Sequence, residues 1–141
     1  KIHQAAIAGE LSHWRNTIQG RLAEIIVLDQ FSRNLYRNDA RAFLYDGMAL
    51  VLAQEALPYS EELTVIERSF LYMPFMHSES LTIHQAAEKL FFEPGMEKRA
   101  KYEKMHREII EQFGRYPHRN EILGRKSTEK ELEFLRNHSG F

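Results

Sequence analysis

The residues of this chain that could hold a ligand or act on one are concentrated in a few segments. Asp29 and Arg33 lie one helical turn apart and can form an ion pair. A histidine and a glutamate follow Pro74, and His106 falls within the apolar face of a long predicted helix. The segment 113–128, FGRYPHRNEILGRKST, carries the remaining polar side chains. Guanidinium groups bind anions, and imidazole and carboxylate groups exchange protons. The candidate ligand-binding residues are therefore Asp29, Arg33, His77, Glu79, His106, Arg115, His118, Arg119 and Asn120.

The charges of the segment 113–128 favour a small anionic ligand. Four cationic side chains face only Glu121 within the segment: Arg115, Arg119, Arg125 and Lys126. Arginine binds carboxylate or phosphate groups through two parallel hydrogen bonds, and the N-terminus of the following helix also favours anions. The phosphate-binding patterns G-x-x-x-x-G-K-[ST] and G-x-G-x-x-G are absent, so no nucleotide or other cofactor is predicted.

A purely structural interpretation competes with this one. A buried Asp–Arg pair surrounded by histidines can be a fully paired network that ties a long loop to the helices. Both interpretations predict the same contacts, and they differ in whether a cavity remains between the side chains. If the cluster is a structural network, the chain is a helical scaffold or binding module. If a cavity remains, the chain binds a small molecule and could be an enzyme.

Specific chemistry is not assigned to any residue. The spacing Glu103-x-x-His106 is half of a di-iron motif, but it also occurs at Glu10-x-x-His13 and is expected by chance. A single metal ion held by His77, Glu79 and neighbouring imidazoles is a further alternative, although no metal ligand is assigned. Ser78 lacks the strand and tight turn that expose a nucleophilic serine, and no catalytic residue is named.

Composition excludes several functional classes. The formal net charge of −1 over 141 residues argues against an extended basic surface for nucleic acid. No apolar run approaches the roughly 18 residues that a membrane-spanning helix needs, and no signal peptide opens the chain. We therefore expect a cytoplasmic protein. Cysteine is absent, which excludes disulfides and thiolate chemistry.

The polar residues must be positioned by helices, because apolar residues recur at three- and four-residue spacing and no alternating run appears. Thr17 is predicted to begin a long helix that ends near Leu35, and further helices are expected over 40–57, from Ser60 to Pro74, over 82–92 and over 96–113. Thr128 and Glu131 form a capping box before a last helix. The sequence predicts one all-α domain over residues 1–141, a helical bundle or a superhelix of antiparallel helix pairs.

Three motifs in the same order resemble one bacterial family, domain of unknown function 924: LDQFSRNLYR (28–37), FLYMPFMHSE (70–79) and FGRYPHRNEILGRKST (113–128). The resemblance implies a tetratricopeptide-like helical fold and no established activity. It also implies a further N-terminal stretch that this chain, which begins at Lys1, lacks. A helix exposed by that loss would present an apolar face to a protein partner or to a second copy of the chain.

Overall fold

The protein is built from α-helices, as the sequence predicts. A computed structural model describes residues 1–138, and the last three residues lie outside this range. No β-strand occurs within residues 1–138. The α-helices are α1 Ile2–Ile7, α2 Ile18–Ile26, α3 Ser32–Leu35, α4 Arg41–Leu44, α5 Asp46–Ala56, α6 Val65–Met76, α7 Leu81–Phe91, α8 Glu97–Phe113 and α9 Glu129–Asn137.

The predicted long helix contains a turn that the sequence does not predict. Its first backbone amides are capped by Thr17, whose hydroxyl accepts a hydrogen bond of 3.0 Å from the Gly20 N–H. Between α2 and α3 the backbone forms a π-helix over Val27–Phe31, and the three segments make one continuous helix from Ile18 to Leu35. A π-turn widens the helix locally and rotates the side chains that follow it, and Asp29 lies within this turn.

The helix predicted over 40–57 is interrupted, and this prediction is wrong in detail. Tyr45 leaves the α-helical region at φ −102° and ψ 11°, which separates α4 from α5. Asp46 then becomes the first residue of α5, where both of its carboxylate oxygens bind Arg33. The next helix also begins later than predicted, because a 3-10 turn spans Leu57–Glu62 and Thr64 forms the capping box with Glu67.

Helices that follow one another in the chain pack side by side. α2 packs against α5 and α6, α6 packs against α7, and α7 packs against α8. The main core lies among these helices and contains large, fully buried side chains, including Ile25, Leu71, Phe91 and Met96. Packing of this kind fixes the relative positions of α6 and α8, which contribute to the candidate site, and of α2, which is continuous with the turn that holds Asp29. The tetratricopeptide-like arrangement of these helices stays a prediction.

The segment between α8 and α9 is irregular, as predicted, apart from a short 3-10 turn over Pro117–Arg119. α8 ends at Gly114, whose φ of 74° lies in the left-handed region that glycine adopts without a steric penalty. The predicted capping box opens α9: the Glu131 N–H donates to the Thr128 hydroxyl, and the Thr128 N–H donates to the Glu131 carboxylate. The chain from Gly114 to Thr128 is called the connecting loop below.

Within residues 1–138, no helix is long and apolar enough to cross a membrane. Several large apolar side chains are nevertheless exposed on the helices. Leu44, Met48 and Val51 recur at four- and three-residue spacing from α4 into α5, and they are 65%, 38% and 57% exposed. They form the apolar row considered below as a surface for association.

Candidate functional site

Asp29 is the most deeply buried charged group of the site. It is 1% exposed, and it accepts hydrogen bonds from Gln30, Arg33 and His77. The bond from His77 Nδ1 is the shortest, at 2.7 Å. Burial would raise the pKa of Asp29, but the charges and hydrogen bonds of these neighbours outweigh it, and its pKa lies below the usual value. Asp29 is therefore an ionised acceptor that holds the imidazole of His77.

Arg33 joins Asp29 to α5. Its Nη1 donates to Asp29 Oδ1 at 3.1 Å and to Asp46 Oδ1 at 2.8 Å, while its Nη2 donates to Asp46 Oδ2 at 2.9 Å. The pair with Asp46 is bidentate, the strongest geometry available to an arginine and a carboxylate. Arg33 is therefore well compensated by two carboxylates.

Arg119 is compensated far less completely. Its Nη2 donates to the His77 carbonyl oxygen at 2.9 Å, and this is its one hydrogen bond to a partner within residues 1–138. The nearest carboxylate oxygen, Asp46 Oδ2, lies 3.7 Å from Nη1 and is already bound by Arg33. The guanidinium packs against the rings of Phe43 and Tyr116, with its Cζ 4.4 and 4.7 Å from their centroids. The side chain is 12% exposed, and burial lowers the pKa of Arg119.

Arg119 lines a cavity of about 290 Å³, called the inner cavity. Its walls are formed by Arg33, Phe43, His77, His106, Tyr116, His118 and Arg119. Two guanidinium groups and three imidazoles therefore face one small volume, and no aspartate or glutamate of residues 1–138 lines it. The predicted polar cluster thus encloses a cavity instead of closing completely on itself.

A second cavity, called the outer cavity, lies on the other side of a shared wall. Phe43, His77 and Arg119 line both cavities. The outer cavity measures about 450 Å³ and is lined by apolar side chains from α4, α5 and α6 together with Asp46 and Glu79. Because carboxylates line the outer cavity and not the inner one, an anion is favoured in the inner cavity.

His106 contributes a neutral imidazole to the inner cavity. Its Nδ1 lies 2.7 Å from the Tyr102 carbonyl oxygen, one turn earlier in α8, and this contact places the ring proton on Nδ1. Burial lowers the pKa of His106 to about 4, and the cationic neighbours act in the same direction. The edge of the ring contacts Tyr116 of the connecting loop, with the ring centroids 5.5 Å apart.

Tyr116 is held in place by a buried network behind the cavity wall. Its hydroxyl donates to the Met76 carbonyl oxygen at 2.6 Å and lies 2.8 Å from His84 Nε2. The other nitrogen of His84 lies 2.8 Å from a carboxylate oxygen of Glu103. His84 and Glu103 are 0% and 1% exposed, and burial raises the pKa of Glu103. This network fixes the connecting loop against α6, α7 and α8.

Two of the three arginines of the connecting loop are paired with carboxylates outside it. Arg125 forms a bidentate pair with Glu79, at 2.9 and 3.0 Å, and Glu79 also accepts the Tyr116 N–H at 2.7 Å. Arg115 forms a bidentate pair with Glu131, at 2.7 and 2.8 Å. The local excess of positive charge predicted from the sequence is therefore largely neutralised by these pairs, and Arg119 is the exception among the loop's arginines within residues 1–138.

The structure brings together five of the nine residues predicted to form the site. Arg33, His77, His106, His118 and Arg119 line the inner cavity. The others have different positions: Asp29 lies behind His77, Glu79 lines the outer cavity, Arg115 pairs with Glu131, and Asn120 is a buried link within the loop.

Arg115 is the predicted cationic residue that the structure separates from the histidines. It pairs with Glu131 and lies beside a separate depression near Gln112. The hydrogen-bond partners of Asp29 are Gln30, Arg33 and His77. The carboxylate partner of Arg115 was not visible in the sequence.

Sequence reasoning missed Phe43, Asp46 and Tyr116. Phe43 and Asp46 lie in a stretch that reads as one continuous helix, and nothing in its pattern marks the break at Tyr45. Tyr116 could have been found, since an aromatic residue between arginines in an irregular segment is a common partner for a guanidinium. Within residues 1–138, no group of three or more histidine, aspartate and glutamate side chains is placed to bind a metal ion.

These observations define an all-α protein with a small cationic cavity, which lies between α3, α4, α6, α8 and the connecting loop. A family model described as bacterial protein of unknown function (DUF924) matches residues 1–139, and the chain belongs to this family. The solved structure of a protein of unknown function from Agrobacterium tumefaciens is similar, with 35% sequence identity and a TM-score of 0.92. The match covers 97% of this chain and 78% of that one. No curated protein matches the chain.

Proposed function

We propose that the protein binds a small anionic ligand in the inner cavity, with Arg119 as the residue that holds the anionic group. The observation that carries this proposal is the incomplete compensation of Arg119. A guanidinium has five N–H donors, and burying it without partners is costly. Within residues 1–138, Arg119 makes one hydrogen bond, to a carbonyl oxygen, and its nearest carboxylate is shared with Arg33.

The shape and lining of the cavity support the same proposal. About 290 Å³ is close to the lower end of the volumes of small-molecule sites, so the ligand is a small metabolite or an inorganic ion. Contacts with two aromatic rings, Phe43 and Tyr116, restrict the motion of the Arg119 guanidinium. A preorganised guanidinium loses less entropy on binding an oxyanion than a flexible surface arginine does.

Isothermal titration calorimetry with phosphate, sulfate and small carboxylates tests this proposal. We expect binding to the wild-type protein at millimolar ligand or below, and at least a tenfold loss in Arg119→Met, since a charge-assisted hydrogen bond contributes about 1.5–3 kcal/mol. Methionine keeps the apolar stem without the charge. The matched control is Arg41→Met, which removes an exposed arginine paired with Asp39.

The control must bind like the wild type. Circular dichroism spectra of both variants establish that they are folded. Absence of binding to folded wild-type protein at about 10 mM ligand contradicts the proposal. Equal binding by Arg119→Met places the anion elsewhere.

The apolar row of Leu44, Met48 and Val51 supports a second candidate function, association with a protein partner or with a second copy of the chain. Leu44 of α4 and Met48 and Val51 of α5 are large apolar side chains that are 38–65% exposed, and exposed apolar groups near one another are a common feature of protein interfaces. Sedimentation velocity over a range of protein concentrations measures self-association directly. Self-association that disappears in Val51→Lys would assign it to this row.

A further inference from the structure

The position of the proton on His77 is fixed by the structure. Asp29 is ionised, so its carboxylate can only accept a hydrogen bond, and His77 Nδ1 must donate at the observed distance of 2.7 Å. In the neutral imidazole the other nitrogen, Nε2, then carries a lone pair and acts as an acceptor. His77 lines both the inner and the outer cavity, and no hydrogen-bond partner for its Nε2 lies within residues 1–138.

The inner cavity therefore combines donors with an acceptor. Arg119 donates to the backbone carbonyl of His77, and both residues line the inner cavity. One small oxyanion can therefore contact the Arg119 guanidinium and His77 Nε2 together. If the anion has its own O–H group, it can donate to Nε2. A fully deprotonated anion instead brings an oxygen lone pair against a nitrogen lone pair.

The backbone at Asp29 supports a role beyond structural pairing. Asp29 lies in the π-turn Val27–Phe31, inside a helix that is otherwise α-helical from Ile18 to Leu35. A π-turn sacrifices regular helical hydrogen bonding, and such turns are found frequently at functional sites. Here the turn contains the carboxylate that fixes the tautomer of His77.

On the basis of the proposed anion site, we propose that the inner cavity selects oxyanions that carry an O–H group over those that do not. His77 Nε2 is the acceptor that makes the selection. Monohydrogen phosphate is preferred to sulfate, and glycolate is preferred to acetate. A site that presents a buried polar group to a ligand hydroxyl strongly rejects the analogue that lacks it, because the group is then left unpaired.

Competitive titration of the two matched pairs at pH 8, where imidazole groups are ordinarily neutral, tests this inference. Phosphate and sulfate are then both tetrahedral dianions, so charge and shape are matched while the O–H group differs. We expect at least a tenfold preference for phosphate in the wild type, and a smaller preference of the same sign for glycolate over acetate. Preference in the phosphate pair alone assigns the cavity to inorganic phosphate, and preference in both pairs assigns it to O–H-bearing oxyanions generally.

Variants separate this inference from the anion site on which it rests. In His77→Phe we expect phosphate and sulfate to bind within about threefold of each other, because Arg119 remains and the acceptor is gone. Asp29→Ala, which removes the acceptor for the Nδ1 proton, should also reduce the preference. The control variant His13→Phe removes an exposed histidine, and it must retain the preference for phosphate over sulfate.

The outcomes are distinguishable. Wild-type protein that binds sulfate as tightly as phosphate overturns the selection by His77 and leaves the anion site standing. Wild-type protein that binds neither anion overturns both. A preference that survives in folded His77→Phe shows that another group is the acceptor, and it also overturns the inference. If His77→Phe does not fold, the comparison of phosphate with sulfate in His77→Gln and in the wild type still decides the inference.

Discussion

Replacement of Asp29 by alanine tests whether the buried network holds α3 and α6 together. The substitution removes the acceptor for His77 Nδ1, Arg33 Nη1 and Gln30 Nε2. Gln30 is half-buried and can turn toward water, whereas His77 and Arg33 lose a charged partner in a poorly hydrated site. A hydrogen bond to a charged group contributes about 1.5–3 kcal/mol, and breaking a buried pair costs about 3–5 kcal/mol.

The expected loss lies at the low end of that range because Arg33 keeps its bidentate pair with Asp46. We expect the free energy of unfolding of Asp29→Ala at pH 7 to fall by about 3 kcal/mol. For a chain of this size, that corresponds to a melting temperature lower by about 10 °C. The measurement is urea denaturation followed by circular dichroism, because urea, unlike guanidinium chloride, does not screen charges.

The pH dependence gives the prediction a second, independent test. The pKa of Asp29 is lower in the folded protein than its ordinary value, so its contribution is complete above the unfolded-state pKa, near 4. The contribution is lost as the pH falls through the folded-state pKa. The part of the stability difference between wild type and Asp29→Ala that the carboxylate supplies should therefore shrink as the pH falls below about 4.

The control for Asp29→Ala is Asp39→Ala. Asp39 also binds an arginine, Arg41, through two side-chain hydrogen bonds of 3.0 Å and one from the Arg41 backbone N–H of 2.9 Å, but both side chains are largely exposed. Exposed ion pairs contribute little, and losing such a backbone contact costs about 1 kcal/mol, so this variant should lose clearly less stability than Asp29→Ala. Equal losses in the two variants, or a loss below about 1 kcal/mol in Asp29→Ala, would refute the reasoning from burial.

Two further predictions concern the wall of the inner cavity. Tyr116→Phe removes a buried hydroxyl that binds the Met76 carbonyl and His84 Nε2. We expect urea denaturation to show a free energy of unfolding lower by about 1–3 kcal/mol. Tyr102→Phe, at a tyrosine that is 45% exposed, should show almost no change. His106 is neutral when folded, with a pKa of about 4 against 6.5 ordinarily, so its contribution is complete above pH 6.5 and is lost as the pH falls toward 4. His106→Gln should flatten the pH dependence of stability in that interval, and an unchanged slope would contradict this assignment.

The helices could be predicted because their signals are local. The apolar spacing of the segment 18–35, the cap at Thr17 and the capping box of Thr128 and Glu131 are all properties of short stretches of sequence. The same locality explains the failures. The break at Tyr45 and the π-turn around Asp29 depend on side chains from other helices, and neither has a pattern of its own in the sequence.

The sequence by itself also determined which kinds of groups could form the site: histidines on apolar helix faces and an irregular, cationic segment. Tertiary structure decided which of those charges are neutralised. Arg115 and Arg125 find Glu131 and Glu79, while Arg119 is left with part of Asp46. Ion pairs form between atoms a few ångströms apart, and most of these partners are separated by many residues along the chain. Helix packing determines the position of each carboxylate. It therefore decides whether a cationic cluster is fully paired or encloses a cavity.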